Sequence, residues 1–294
     1  MMIDFRQVRA NDWPEIINLA NGVFQESTPM EVSFPLLFNA SNRCSYVAVS
    51  NHEIIGFIGV LPEELHWQGD CYLGSRIGAV CVSQSYQGQG VGRSLFRLMK
   101  KEAQQLDFVL VSGQGKLYLS EGCELFGEFK QFIIPGQGRQ MAIKAFSGEV
   151  SELLAIHRLR SQQVSYFGQS PAHLQQLIAA QSLATLFGGT QQIFLSFSGE
   201  QLVAYVVTGS HYEDGEITEV FEMAGEAQEL LALLQQLALT LPNLRCRIQS
   251  ESELSRLLEA QTAFETVNNA GTILYVNEKV KGVPIPHTWD LGFL

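Results

Sequence analysis

The stretch "VCVSQSYQGQGVGRSLFRLMKK", residues 80–101, decides how the first half of this 294-residue chain is read. Val80 and Val82 alternate on the way in, as on a strand, and Val91, Leu95, Leu98 and Met99 recur at helical spacing on the way out. Between them, residues 87–92 hold three glycines, Gly88, Gly90 and Gly92. A bare backbone at the start of a helix turns several N–H groups and the positive dipole end towards one point. A pyrophosphate needs that arrangement, and a side chain at any of the three glycines would hinder its approach.

Two familiar phosphate cradles do not fit. A dinucleotide fingerprint, G-x-G-x-x-G, needs its third glycine one residue later than Gly92, and it opens a fold rather than following several strands. A Walker loop could use Gly115-Lys116, but Leu110 stands where its first glycine belongs and Leu117 where Ser or Thr belongs.

Residues 82–92 resemble motif A of the GNAT superfamily of acyl-CoA-dependent N-acyltransferases. The signature Q/R-x-x-G-x-G/A is met by Gln87, Gly90 and Gly92. A later family motif, Tyr followed four residues on by Gly and usually Phe, is met by Tyr118 and Gly122, with Cys123 in place of Phe. The resemblance covers residues 3 to about 144. It implies an α/β fold with a mixed sheet and acetyl-CoA, or another acyl-CoA, as co-substrate. The reaction implied is transfer of an acyl group to a primary amine of a small molecule or peptide.

The same resemblance distributes roles. Val80, Cys81 and Val82 would hold pantetheine through their main chain, on a strand that leaves its neighbour at a bulge. Gln87, Gly88, Gln89, Gly90, Val91, Gly92 and Arg93 would surround the pyrophosphate. Tyr118 would protonate the leaving thiolate; a free phenol (~10) and a thiol (~8.5) lie close enough in pKa to share a proton. Some relatives carry a glutamate as base on the strand before the loop. Here Arg76 lies about there, and the carboxylates within reach are Glu63, Glu64 and Asp70 at the neighbouring hairpin end. A water chain is the alternative. Cys81 has no histidine nearby in sequence and reads as an inert strand residue.

Further along, the element pattern restarts: helix, helix, hairpin around Ser198-Gly199-Glu200, strand, helix, strand. The sequence thus predicts two tandem copies of one fold, residues 1–146 and 147–294, joined near Phe146 to Glu149. The second copy lacks the chemistry. Its loop after "GEITEVFEM" reads "AGEAQE", with one glycine and two carboxylates where a pyrophosphate would sit, and the Tyr-x-x-x-Gly pattern is absent. The tail, with Trp289, Phe293 and Leu294, is apolar enough to be expected on the body.

Bulk properties narrow the class. A net charge of −11 argues against nucleic-acid binding. No run approaches a membrane span and the N-terminus has no signal-type apolar core, so a cytoplasmic protein is expected. Five scattered cysteines without C-x-x-C spacing give neither a disulfide framework nor a metal site. The acceptor amine and the oligomeric state are not legible. A non-catalytic acyl-CoA sensor is the alternative to an enzyme.

Overall fold

The computed structural model describes residues 3–113, 115–137, 141–211, 217–241, 243–267, 270–288 and 290–293. The chain is a mixed α/β protein with two sheets. Its elements run β1 (Asp4–Gln7), α1 (Trp13–Phe24), α2 (Met30–Ser33), β2 (Tyr46–Ser50), β3 (Glu53–Trp67), β4 (Asp70–Val82), α3 (Val91–Glu102), β5 (Phe108–Val111), α4 (Lys116–Ser120), β6 (Glu124–Phe126), β7 (Phe129–Ile133) and β8 (Ile143–Ala145). There follow α5 (Val150–Arg160), β9 (Ser165–Phe167), α6 (Pro171–Ala180), α7 (Ser182–Leu186), β10 (Gln191–Ser198), β11 (Gln201–His211), β12 (Ile217–Gly225), α8 (Ala227–Leu237), β13 (Leu244–Gln249), α9 (Glu253–Glu259), β14 (Phe264–Val267) and β15 (Gly271–Tyr275).

Local chemistry accounts for most element ends. Pro14 sits in the first turn of α1, where its missing N–H breaks no bond. Ser170 caps α6 by accepting from the His173 N–H at 3.2 Å, with Pro171 at the first position. Asn51 and His52, both at positive φ, turn β2 into β3, and Gly199 at φ +60 turns β10 into β11. The short helix α2 stops at Ser33. Phe34 precedes Pro35, which disfavours the helical region at Phe34 and ends the helix there.

The first sheet runs β1-β2-β3-β4-β5-β15-β6. β3 and β4 form one long antiparallel hairpin, and α3 carries the chain from β4 across to its parallel neighbour β5. All four residues of β5 are buried, which explains their uninterrupted apolar run. On one face α3 buries Val91, Leu95, Phe96 and Met99 against Ile58, Ile77 and Val109. Each such side chain contributes roughly 1.5–3 kcal/mol. The helix lies so close that a Cβ on Gly56 would stand 3.0 Å from Val91 Cγ1.

The second sheet runs β14-β7-β13-β12-β11-β10-β8, and α8 connects β12 to its parallel neighbour β13. Its core gathers Phe132, Val206, Leu233, Leu234, Leu237 and Cys246. Hairpin, parallel strand and crossover helix thus recur in both sheets.

The chain packs as two compact bodies, each drawing on separate stretches of sequence. One comprises residues up to Leu125 plus Gly271–Val283; the other comprises Phe126–Ala270 plus Pro284–Phe293. The physical reason is pairing. β7 adds to β13 with Arg245 opposite Ile133, while β15 adds to β5 with Thr272 opposite Val111. The second sheet thus takes β7 and β8 from before residue 146, and the first takes β15 from the far end of the chain. Phe293, half-buried, packs against Leu183, Ala184 and Phe221; Trp289 and Leu294 lie outside the described residues.

Candidate functional site

β4 and β5 pair only as far as Ile77 opposite Val111. Residues 78–82 of β4 run on with no strand on that side among the described residues. The departure has a local cause. Register against β3 shifts between Phe57 and Gly59, and Ala79 adopts a left-handed φ of +50. This is a bulge, which turns the strand. Val80 and Val82 are half-buried, and Cys81 is buried facing away from solvent. Burial pushes the Cys81 thiol up to about 12, so it is no nucleophile at neutral pH.

The glycine loop follows at once. Gly88 and Gly90 have φ of +74 and +81, and a Cβ at either would meet nothing within 4 Å. The space above them is open. Gly90 is the residue before α3, so the N–H groups of Val91, Gly92 and Arg93 have no partner within the helix. Gln87 and Gln89 do not reach into that space but brace the loop. Gln87 Nε2 donates to the Val82 carbonyl at 3.0 Å, and Gln89 Nε2 to the Ser85 carbonyl at 2.9 Å. A Cβ on Gly92 would sit 3.8 Å from Val82 Cγ2 and 4.0 Å from Leu117 Cδ2. The end of β4, the start of α3 and the start of α4 therefore meet at one place.

Tyr118 follows Leu117 on α4. Its ring is half-buried and packs on Phe96, centroids 5.5 Å apart. Burial raises the phenol to about 12, with Cys123 adding to the shift. The near match with a thiol of ~8.5 expected from free side chains is therefore lost by about 3.5 pK units. Tyr118 is a fixed hydrogen-bond donor at neutral pH, and full proton transfer from it to a thiolate is uphill. Gly122, at φ +92, closes the turn after α4.

Arg93 is engaged elsewhere than over the loop. Its Nε lies 3.2 Å from Glu121 Oε1, and Arg97 Nε lies 2.8 Å from Glu121 Oε2. Lys100 Nζ donates to the Glu121 carbonyl at 2.6 Å. Glu121, which the sequence reading passed over, thus fastens α3 to the end of α4. Its carboxyl is held below the usual range, first by the hydrogen bond from Arg97.

Of the candidate bases, Glu63 is not at a hairpin tip. It is buried, and Arg76, at 0% exposure, places Nε 3.0 Å from Glu63 Oε2. Glu64 and Asp70 are exposed. Among the described residues, one trio has ligand atoms within 4.8 Å of one another: Glu64, His66 and Cys71, brought together across β3 and β4. No sequence spacing announces it.

Residues 41–122 match the family described as "Acetyltransferase (GNAT) domain". No curated protein matches the chain. Among solved structures, a GCN5-related N-acetyltransferase from Anabaena variabilis superposes with a TM-score of 0.73 at 16% identity, covering 94% of this chain and 73% of that one. A conserved protein from Enterococcus faecalis, titled a probable N-acyltransferase, gives 0.73 at 14% identity with the same coverage. Eis1 from Mycobacterium abscessus gives 0.64 at 11%, covering 94% and 74%. Residues 41–122 thus match a GNAT acetyltransferase domain, and over more than nine-tenths of its length the chain shares the fold of solved proteins titled GCN5-related N-acetyltransferases.

Proposed function

We propose that the first half of this protein transfers an acyl group, acetyl in the simplest case, from coenzyme A to a primary amine of a small molecule or peptide. The observation that carries this is the open, left-handed Gly88 and Gly90 turn leading into α3, directly beside the unpaired edge of β4. The N–H groups of Val91, Gly92 and Arg93 would bind the pyrophosphate at the helix N-terminus. Gly88 and Gly90 would leave it room, while Gln87 and Gln89 hold the loop's shape. The free main-chain edge at Val80, Cys81 and Val82 would pair with pantetheine and offer an N–H to the thioester carbonyl. Arg93 would have to exchange Glu121 for phosphate, which its half-exposed side chain allows.

In the transfer step the neutral amine adds to the thioester carbonyl. The C–S bond then breaks, and the thiolate leaves with its electron pair. Tyr118 would stabilise that thiolate by a hydrogen bond, with the final proton coming from solvent. With Glu63 neutralised by Arg76, the amine's proton would leave through water rather than through a carboxylate on β3. We read the chain as a tandem pair whose second half lacks the acyl-CoA motif. No helix among the described residues is long and apolar enough to cross a membrane. The five free cysteines fit a reducing compartment such as the cytoplasm.

The test is release of free thiol from acetyl-CoA across a panel of primary amines. Amine-dependent release is the expected result. Tight binding of acetyl-CoA without turnover of any amine would favour a second reading, a non-catalytic acyl-CoA sensor. The raised Tyr118 phenol and the neutralised Glu63 are the observations that favour it.

A further inference from the structure

The turn end of the β3–β4 hairpin brings together three side chains that neither the glycine loop nor the transfer step uses. Gln68 and Gly69, at φ of +51 and +87, make a two-residue turn between the paired Trp67 and Asp70. Two left-handed residues in succession match the twist of the flanking strands, and such a turn fixes the register of the ladder behind it. His66 therefore stands opposite Cys71, and Glu64 opposite Leu73. Pairs in an antiparallel ladder alternate. The pair next to the one that closes a two-residue turn is of the non-hydrogen-bonded kind, in which side chains approach most closely. Glu64, two residues from His66, points to the same face and is diagonal to Cys71, within reach of a long side chain.

The result is a carboxylate, an imidazole and a thiol whose ligand atoms all lie within 4.8 Å of one another. His66 Nε2 is 3.5 Å from Glu64 Oε2. Two ligands held about 2.1 Å from one ion at the tetrahedral angle stand about 3.4 Å apart, so this pair is already spaced for a shared ion. A thiolate completing the same shell would stand about 3.6 Å from each of them. Rotation of the exposed Cys71 side chain supplies the remaining ångström.

The ligand set names the metal. Mg²⁺ and Ca²⁺ take oxygen ligands, whereas a thiolate and an imidazole suit softer ions. Sulfur, nitrogen and oxygen ligands with a fourth position left to water form a pattern that suits Zn²⁺. Thiolate and carboxylate together balance the two charges of the ion. Besides Glu64, the charges that act on Cys71 are those of Asp107 and Lys279, which pair with each other at 3.0 Å. Cysteine spacing predicts no metal site; here the other ligands come from the facing strand, which spacing does not register.

We propose that Glu64, His66 and Cys71 form a binding site for one Zn²⁺ ion at the turn end of the β3–β4 hairpin. Cys71 binds as thiolate and releases its proton to solvent, and water fills the fourth position. From Cys71 to Val80 along β4 is about 30 Å at the rise of a strand, so the ion takes no part in the transfer proposed for the glycine loop. It ties the two strands together beside their turn.

The test is titration of the full, tag-free chain with Co²⁺ under a thiol-free reductant, followed by absorption. Cobalt stands in for zinc and reveals a thiolate ligand by its charge-transfer band. No acyl-CoA is present, so the outcome does not depend on the activity proposed for the first half. A band that saturates at one ion per chain, and that Zn²⁺ but not Mg²⁺ removes, is the expected result. Cys71→Ser should erase the band and weaken Zn²⁺ binding about 100-fold or more, because loss of an outer-shell partner alone costs about 10–100-fold. Glu64→Gln and His66→Gln should each weaken Zn²⁺ by at least about tenfold. All three positions are at least partly exposed, so these variants should fold. Zn²⁺ should raise the Tm of the wild type but not that of Cys71→Ser. Cys44→Ser, at a thiol elsewhere in the same body, should leave the band intact. Absence of the band would overturn the proposal. So would a band that survives in Cys71→Ser, or Zn²⁺ affinity unchanged in the Glu64 and His66 variants.

Discussion

Arg76 and Glu63 form an ion pair in the interior of the first sheet, Nε to Oε2 at 3.0 Å, with side chains 1% and 7% exposed. A carboxylate so held is a structural partner, not a free base. Replacing Glu63 with Gln removes the countercharge of a buried guanidinium. Breaking such a pair costs about 3 kcal/mol or more. We expect a clear fall in the midpoint of denaturant unfolding, with kcat per folded molecule unchanged. A variant of normal stability that has lost turnover would make Glu63 the base after all.

Gly90→Glu should abolish acyl-CoA binding and leave the protein folded. The position is exposed and a Cβ there meets nothing, so the expected loss is the roughly 1–2 kcal/mol of a side chain at left-handed φ. The carboxylate would enter the proposed anion site. Titration with acetyl-CoA beside a melting curve checks it; a folded variant that still binds means that the loop is only a turn.

Tyr118→Phe keeps the packing on Phe96 and removes the hydroxyl. If the phenol stabilises the leaving thiolate, kcat should fall about 10²-fold or more, with kcat/KM falling equally and acetyl-CoA affinity little changed. With the phenol raised to about 12, Tyr118 stays protonated through the range in which the enzyme can be assayed. It should therefore contribute no alkaline limb to the rate profile below about pH 11. Its linkage to stability follows. The folded state holds the proton more tightly than an unfolded tyrosine at ~10, so the contribution is intact below pH 10 and is lost as pH rises towards 12. The Phe variant should be the less alkali-sensitive of the two. Wild-type turnover in this variant would remove Tyr118 from the mechanism.

The chain should bind one acyl-CoA. Gly88 and Gly90 lie ahead of α3 and Gly92 lies in its first turn, whereas Glu226 stands at the residue before α8. Calorimetry should return a single site per chain, and two equivalent sites would restore an acyl-CoA slot to the second half.

What the sequence makes legible is what neighbouring residues decide. β4, α3 and β5 are readable because alternation, helical spacing and an unbroken apolar run are local signals, and "QGQGVG" occupies the turn its composition demands. Glu63 was misplaced because the length of a hairpin depends on its partner strand. β3 and β4 extend to Trp67 and Asp70, so Glu63 lies opposite Gly74, well inside the ladder. The raised Tyr118 phenol comes from burial that sequence does not measure. The pairing of β7 with β13 and of β15 with β5 is not legible, because pairing across such separations leaves no trace in either segment.

That reciprocal loan of strands governs how the molecule can be made. β5 reaches its full complement only when β15 is present, about 160 residues downstream. At roughly 5–20 residues per second on the ribosome, the edge of β5 waits about 8–32 seconds for its partner. During that time it presents an apolar, unpaired strand to any other chain. A fragment ending at residue 146 would remain in that state permanently and would also carry β7 without β13. Dissection of the two halves therefore calls for permuted or internally deleted chains in which each sheet keeps its borrowed strands, because a simple cut produces two incomplete sheets.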